Sequence, residues 1–324
     1  MAIAGRSTYY WGPGAGGTAI VTREDLSDMV TIITPWQTPF YNASPKTKAT
    51  STLHEWVTDT MDATSTAGAF EGDTFTSATL VQRVRRQNYT QIFRKDVEIT
   101  NTMQEMDPVG VPNEYNWQIQ KALKEIAKNI EARAFDIANS ASAAGATNTA
   151  RVFQSLEGFI TANTADAGQN AATSTPITET AFNNALELIY TAGGNPETCY
   201  VSPGVKRDIS AFAGPTGAAN ITTNVRNIDA SAKKLVQAVD VYDSDYGLIQ
   251  IVMSRWIPQT TSTTILTGRV WFIERSKVRF SILRPMRHYP IASVGDSTRG
   301  MVLTELTLEV LAGDSCGSVR RVQT

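Results

Sequence analysis

Residues 113–143, NEYNWQIQKALKEIAKNIEARAFDIANSASA, carry Ile119, Leu123, Ile126, Ile130, Ala134, Ile137 and Ala138 at three- and four-residue steps. That spacing predicts one buried face on an α-helix of ~30 residues, ~45 Å long. Lys121 with Glu125, and Lys128 with Glu131, fall at neighbour spacing on the other face. A compact globule seldom needs such a rod. Because a helix in a protein depends on packing more than on propensity, a sheet is expected beneath it, each large apolar side chain contributing ~1.5–3 kcal/mol. Pro108 and Pro112 mark where the helix can begin.

Upstream, residues 51–100 read as strands around a long polar excursion. Leu53, Glu55, Val57 and Asp59 alternate on the way out, and Asp96, Val97, Glu98 and Ile99 on the return. Residues 58–80 hold only scattered apolar side chains, and an isolated two-stranded ribbon is marginal in water, so this hairpin must lean on another surface. Its charges are sorted: Glu55, Asp59, Asp62, Glu71 and Asp73 on the outbound half, Arg83, Arg85, Arg86, Arg94 and Lys95 on the inbound half. The two sets can pair across the hairpin or with a neighbouring subunit. Residues 1–22 are Gly-rich and without period, an arm that something else must hold. Arg23–Ile33 could form a short helix capped by Thr22, after which the chain reads as extended.

Downstream, Ser/Ala/Gly/Thr-rich segments at 139–150 and 161–176 separate a second unit of alternating α and β. Thr178 can cap a helix through Ala192 closed by Gly193 and Gly194, Thr198–Val201 is a short strand, and Ser202-Pro203 opens another helix. Strands follow near Val239–Tyr242, Leu248–Met253 and Val270–Ile273. The last strong strands are Lys277–Leu283 and Met301–Val310, the latter alternating Leu306, Leu308 and Val310 against Glu305, Thr307 and Glu309.

Composition narrows the function. With 29 basic and 31 acidic residues and a formal net charge of −2, the chain lacks the broad phosphate affinity of a free-standing nucleic-acid binder, although local basic patches are allowed. Cys199 and Cys316 have no paired spacing, which argues against a disulfide framework and for a reducing compartment. No window approaches the ~20 apolar residues of a membrane span, and no signal peptide is evident. Charged content of 19% is low, and uncharged polar surface suits repeated subunit contact.

The catalytic and ligand motifs fail on context. Gly12, Gly14 and Gly17 match Gly-x-Gly-x-x-Gly without a preceding strand. Gly313-Asp314-Ser315-Cys316-Gly317 matches Gly-x-Ser-x-Gly, but no histidine follows Ser315. A trypsin-like order would need His54 or His288 and a double β-barrel that the long helix contradicts; His54 is expected to pack beside Trp56. Asp243 and Asp245 resemble the start of a calcium loop, yet Ser254 occupies the twelfth position, so a turn is expected. No catalytic, cofactor or metal residue is therefore assigned.

The specific wording of seven segments goes further: TREDLSDMVTIITPWQTPFY (22–41), TLHEWVTDTMDA (52–63), NYTQIFRKDVEIT (88–100), KALKEIAKNIEARAF (121–135), TAGGNPETCYVSP (191–203), KKLVQAVDVYDSDYG (233–247) and LRPMRHYPIASVGDSTRGMVLTELTLEV (283–310). In this order they resemble the major capsid (major head) protein family of tailed bacteriophages, from about residue 22 to 311. The resemblance implies an α+β protein of the Hong Kong ninety-seven-type fold. Its parts would be an N-terminal arm (1–50), an extended β-hairpin loop (51–100), a peripheral domain with a long spine helix (101–150) and a mixed α/β axial domain (151–275). A peripheral-domain hairpin (276–311), its turn meeting neighbours at local threefold positions, and a C-terminal segment (312–324) complete the map.

It further implies self-assembly through hexamers and pentamers into an icosahedral shell around packaged double-stranded DNA, in the virion after assembly in the host bacterial cytoplasm. Portal and scaffolding proteins and a decoration protein would be partners, with no membrane. The ten sorted charges from Glu55 to Lys95 become candidate intersubunit contacts. Some relatives crosslink a lysine of the extended loop, but Met61–Leu80 contains none. The rival readings are a serine hydrolase using Ser315 and another self-assembling virion component such as a tail-tube subunit.

Overall fold

The computed structural model describes residues 32–323 apart from 62, 63, 65, 67, 69, 73, 75–80, 107–109, 167–176, 211, 213–227, 230–233, 236–238, 259, 263, 264 and 294. The expected arm helix at 23–33 and the glycines at 12, 14 and 17 thus lie largely or wholly outside the described residues. In chain order the first elements are α1 (Pro39–Ala43), β1 (Lys46–Lys48), β2 (Leu53–Thr58), β3 (Val84–Tyr89), β4 (Gln91–Thr100), α2 (Asn101–Glu105), α3 (Glu114–Ala134) and α4 (Leu156–Phe159). Then come β5 (Thr164–Asp166), α5 (Glu179–Thr191), β6 (Thr198–Val201), α6 (Pro203–Ser210), β7 (Ile228–Asp229), β8 (Lys234–Leu235), β9 (Val241–Ser244) and β10 (Gly247–Met253). The last are β11 (Thr260–Ser262), β12 (Ile265–Ile273), β13 (Val278–Ile291), β14 (Ser297–Val310), a 3₁₀ turn (Gly313–Ser315) and β15 (Gly317–Gln323).

The helix α3 starts where expected, with Asn113 Oδ1 accepting the Asn116 N–H at 2.9 Å. It ends earlier than the apolar period suggests, at 21 residues, or ~31 Å. The cause is Asp136, whose carboxylate accepts from Ala138 N at 2.9 Å, from Arg133 Nη1 at 2.8 Å and from Asn139 Nδ2, a set of local bonds that competes with further helix. Ile126, Ile130 and Ala134 are buried on the predicted face, while Ala138 is exposed beyond the end.

Glu131, expected on the solvent face, is also buried. Its Oε2 accepts the Phe40 and Tyr41 N–H groups at 3.1 and 3.2 Å, and its Oε1 accepts from Ser254 Oγ at 2.6 Å. Residues 39–43, expected to be extended, become the helical turn α1 because Pro39 leads it and Glu131 receives its free amides. Burial pushes the Glu131 carboxyl up to about 7 against the pull of those three bonds.

The sheet under α3 has the order β1-β13-β14-β4. β14 pairs antiparallel with β13 from Val310–Val278 to Arg299–Ile291 and with β4 from Ser297–Thr100 to Leu306–Gln91. Residues 96–99, expected to return the 51–100 hairpin, therefore belong to this sheet. The return strand is β3, joined to β2 in register from Leu53–Tyr89 to Thr58–Val84. The hairpin strands expected at 277–283 and 301–310 form and extend to 14 residues each.

The α/β unit is a seven-stranded sheet, β5-β15-β12-β6-β10-β9 with β11 on β12. The capping of α5 by Thr178, whose Oγ1 accepts Ala181 N at 3.2 Å, and the left-handed Gly193 after it are as the sequence predicts. The expected strands appear as β6, β9, β10 and β12. The C-terminal segment adds β15 between β5 and β12, parallel to the first and antiparallel to the second. Phe40, Phe135, Tyr200 and Trp271 share one core, so α1 and the end of α3 pack onto both sheets.

Candidate assembly surface

The ribbon β2–β3 has two unlike halves. At its base it lies on β14, where Trp56 Nε1 donates to Val310 O at 3.0 Å and Asn88 Nδ2 donates to Leu308 O at 2.7 Å. Asn88 Oδ1 in turn accepts Gln154 N at 2.8 Å. Beneath these residues Glu305 and Glu309 are both buried, although strand alternation had set them opposite the core residues.

Each acid is fully engaged. Glu309 accepts from Arg279 Nη2 at 2.7 Å and Ser281 Oγ at 2.6 Å, and its Oε2 meets His54 Nε2 at 3.1 Å. Glu305 accepts from Arg151 Nη2 at 2.6 Å, Arg284 Nε at 2.8 Å and Thr90 Oγ1 at 2.8 Å. Burial opposes ionisation of Glu309, but the bonds from His54, Arg279 and Ser281 outweigh it and hold the carboxyl down at about 2. The register of β13 carried the signal that sequence reading missed: Arg279 stands opposite Glu309 and Arg284 opposite Glu305.

Beyond the base no described residue covers the ribbon's apolar side chains. Val57, Met61, Phe70, Val81 and Val84 are exposed, Met61 and Phe70 almost fully at 98% and 85%. Among the sorted charges, Asp59 pairs with Arg83 at 3.0 Å and Glu55 with Arg85 at 3.6 Å across the ribbon. Arg86 makes no ion pair among the described residues, and Glu71 is exposed at a turn with Gly72 at φ +83°. Arg94 and Lys95 leave the ribbon for β4, where Arg94 meets Asp96 at 3.2 Å and Lys95 meets Glu125 of α3 at 2.8 Å. Asp62 and Asp73 lie outside the described residues.

The motifs that suggested chemistry have structural employment. Ser315 Oγ, buried in the 3₁₀ turn, donates to Ala312 O at 2.9 Å. His288 Nε2 bonds Tyr115 Oη at 2.9 Å, and His54 stacks beside Trp56 at 5.8 Å between ring centres as expected. Burial raises the Cys199 thiol and pushes Cys316 up to about 11, away from thiolate chemistry. Asp243 and Asp245 sit at the β9–β10 turn, where Ser244 Oγ donates to Gly247 O at 2.7 Å. Among the described residues no group of three His, Cys, Asp or Glu is placed to hold a metal ion.

Such a surface, apolar and left open by the described residues at the end of an internally clamped ribbon, is suited to contact with another protein surface. The family described as SU10 major capsid protein matches residues 12–323. The chain is similar to the major capsid protein of Escherichia phage Phieco32, 22% identical over 87% of this chain and 89% of that one. Its fold is that of the Cyanophage P-SCSP1u capsid, at 13% identity, TM-score 0.57 and 94% of each chain. A chain from Gordonia phage Cozz shares it at 13% identity and TM-score 0.60, over 95% of this chain and 96% of that one.

Proposed function

This chain belongs to the SU10 major capsid protein family and is a structural protein of the virion, the major capsid protein of a phage with an icosahedral shell; on that premise we propose how its parts serve assembly. The subunits meet head to tail in hexamers and pentamers, and the outer half of the β2–β3 ribbon lies across an adjacent subunit. The observation that carries this is the division of the ribbon. Its base is anchored by buried Glu305 and Glu309, whereas Val57, Met61, Phe70, Val81 and Val84 expose apolar area that a soluble monomer gains nothing by presenting.

On this reading residues 1–50 are the arm, and the extended loop expected over 51–100 narrows to the ribbon before β4. Residues 101–150 and 276–311 form the peripheral domain around α3, and 151–275, completed by β15 from 312–324, the axial domain. The ion pairs Asp59–Arg83 and Glu55–Arg85 hold the ribbon straight in the free subunit. These four exchange partners at the interface, where Arg86, Asp62, Glu71 and Asp73 also meet charges of the adjacent subunit. Arg94 and Lys95, paired on β4, stay within the subunit. Assembly occurs in the host bacterial cytoplasm with portal and scaffolding proteins. The shell encloses double-stranded DNA, and a decoration protein adds to the non-covalent contacts.

The test is reversal of Arg83, Arg85 and Arg86 together to Glu. Exposed pairs each contribute ~0–1 kcal/mol, so the subunit stays folded and soluble, and negative-stain micrographs show no closed shells. Normal particles from this variant end the proposal.

A further inference from the structure

On α3, Lys121, Lys124 and Lys128 follow one another at three- and four-residue steps, so they form a single stripe two turns long, ~10.5 Å. The stripe lies opposite the face buried by Ile126 and Ile130. Two tryptophans from distant parts of the chain flank it. Lys124 Nζ stands 4.7 Å from the ring centre of Trp36, and Lys128 Nζ 5.2 Å from that of Trp256. Trp256 Nε1 is fixed by the Gln37 carbonyl at 2.7 Å, and Arg255 beside it is exposed.

Arg279, Arg284 and Arg299 each meet a carboxylate, but Lys121, Lys124, Lys128 and Arg255 make no ion pair among the described residues. The acids bordering the stripe are already engaged, Glu125 by Lys95 at 2.8 Å and Glu114 by Gln118 Nε2 at 2.5 Å. Buried Glu131 is covered by Phe40 and Tyr41. The Trp36 and Trp256 ring faces hold the Lys124 and Lys128 ammonium groups in place, so less side-chain freedom is lost when each meets an anion on the side away from the ring.

We propose that Lys121, Lys124, Lys128 and Arg255, braced by Trp36 and Trp256, form the surface on which the subunit receives the phosphate backbone of double-stranded DNA. This rests on the reading of the shell as a DNA container. Phosphate contacts carry no sequence information, which suits a wall that must accept any packaged sequence. One subunit contributes about four contacts, too few for tight binding by a chain of net charge −2, and repetition over the shell supplies the rest.

The experiment measures binding of the purified full chain to a fluorescent 30-base-pair duplex between 50 and 200 mM salt, beside micrographs of the same preparations. Four neutralised phosphates give a log–log salt slope of about −3.6. K121Q/K124Q/K128Q weakens binding at least tenfold at 50 mM and makes the slope shallower by about 2.7. K121R/K124R/K128R restores both, and K48Q/R207Q/R287Q, which removes equal charge elsewhere, changes neither.

A slope flatter than −1 for the unmodified chain overturns the assignment without any variant. So does unchanged affinity in the Gln variant. If that variant instead stops forming shells while binding DNA normally, the lysines face a neighbouring copy and the DNA assignment is wrong. Absence of shells from the unmodified chain when it is produced together with the phage's other head proteins would count against the assembly reading, which the binding data do not touch.

Discussion

The base and the outer half of the β2–β3 ribbon are built from the same pair of strands in one register, yet they solve opposite problems. At the base, Trp56 and Asn88 bond β14 while Glu305 and Glu309 gather arginines and hydroxyls beneath them. Outside, Val57 and Val84 face solvent, and among the described residues two exposed ion pairs stiffen the strands. The comparison teaches that stability and assembly are written in adjacent residues of a single element. A substitution at Trp56, Asn88 or the acids beneath them is felt by the subunit, and one at Val57, Val84 or beyond by the particle.

The largest expected effect comes from the base. Glu309→Ala leaves the Arg279 charge and the Ser281 and His54 polar groups without their acceptor and destabilises the subunit by about 3 kcal/mol. Chemical denaturation reads this as a lower midpoint, and an unchanged midpoint would remove the clamp from the account. Acid should act through the same group. Because the Glu309 carboxyl is held at about 2, below its ordinary 4.5, its contribution is present above pH 4.5 and lost as pH falls toward 2.

Buried Glu131, raised to about 7, has the opposite sign: its protonated form is favoured in the fold, so that contribution is present below pH 4.5 and lost as pH rises through 7. Glu131→Gln accordingly flattens the stability profile between pH 4.5 and 7, and Glu309→Gln flattens it between 4.5 and 2. Profiles that keep the unmodified shape contradict the assigned groups.

The outer half gives the complementary result. Val57→Ser with Phe70→Ser shifts subunit stability by no more than about 0.5 kcal/mol but prevents closed particles. A folded double variant that still assembles would erase the contrast between the halves. The smallest effect is that of Ser315→Ala, which forfeits one hydrogen bond to Ala312 O, about 1 kcal/mol, and leaves particles normal in micrographs. Failure to assemble would reopen a role for that serine.

Elements governed by local chemistry were legible in the sequence. Thr178 caps the helix it was read to cap, α3 begins just after Asn113 where the prolines placed its start, and Gly193 takes the left-handed conformation that ends α5. What escaped was settled by distant partners. The apolar period runs on past Ala134, and only the hydrogen bonds collected by Asp136 halt the helix there. Glu305 and Glu309 sit at positions that alternation assigns to solvent, because the covering ribbon comes from some two hundred residues earlier in the chain. The same holds for the sorted charges: Arg83 and Arg85 find the expected cross-ribbon partners, while Lys95 is claimed by Glu125, a residue no pairing rule links to it.

Strand β5 has β15 as its neighbour in the sheet, with Thr164 beside Ser318. During synthesis the earlier strand must wait until the later one has left the ribosome, and so long a loop closes slowly. A nascent chain therefore cannot present a finished α/β unit to its siblings before β15 is made, which delays recruitment and keeps shorter fragments out of the growing lattice.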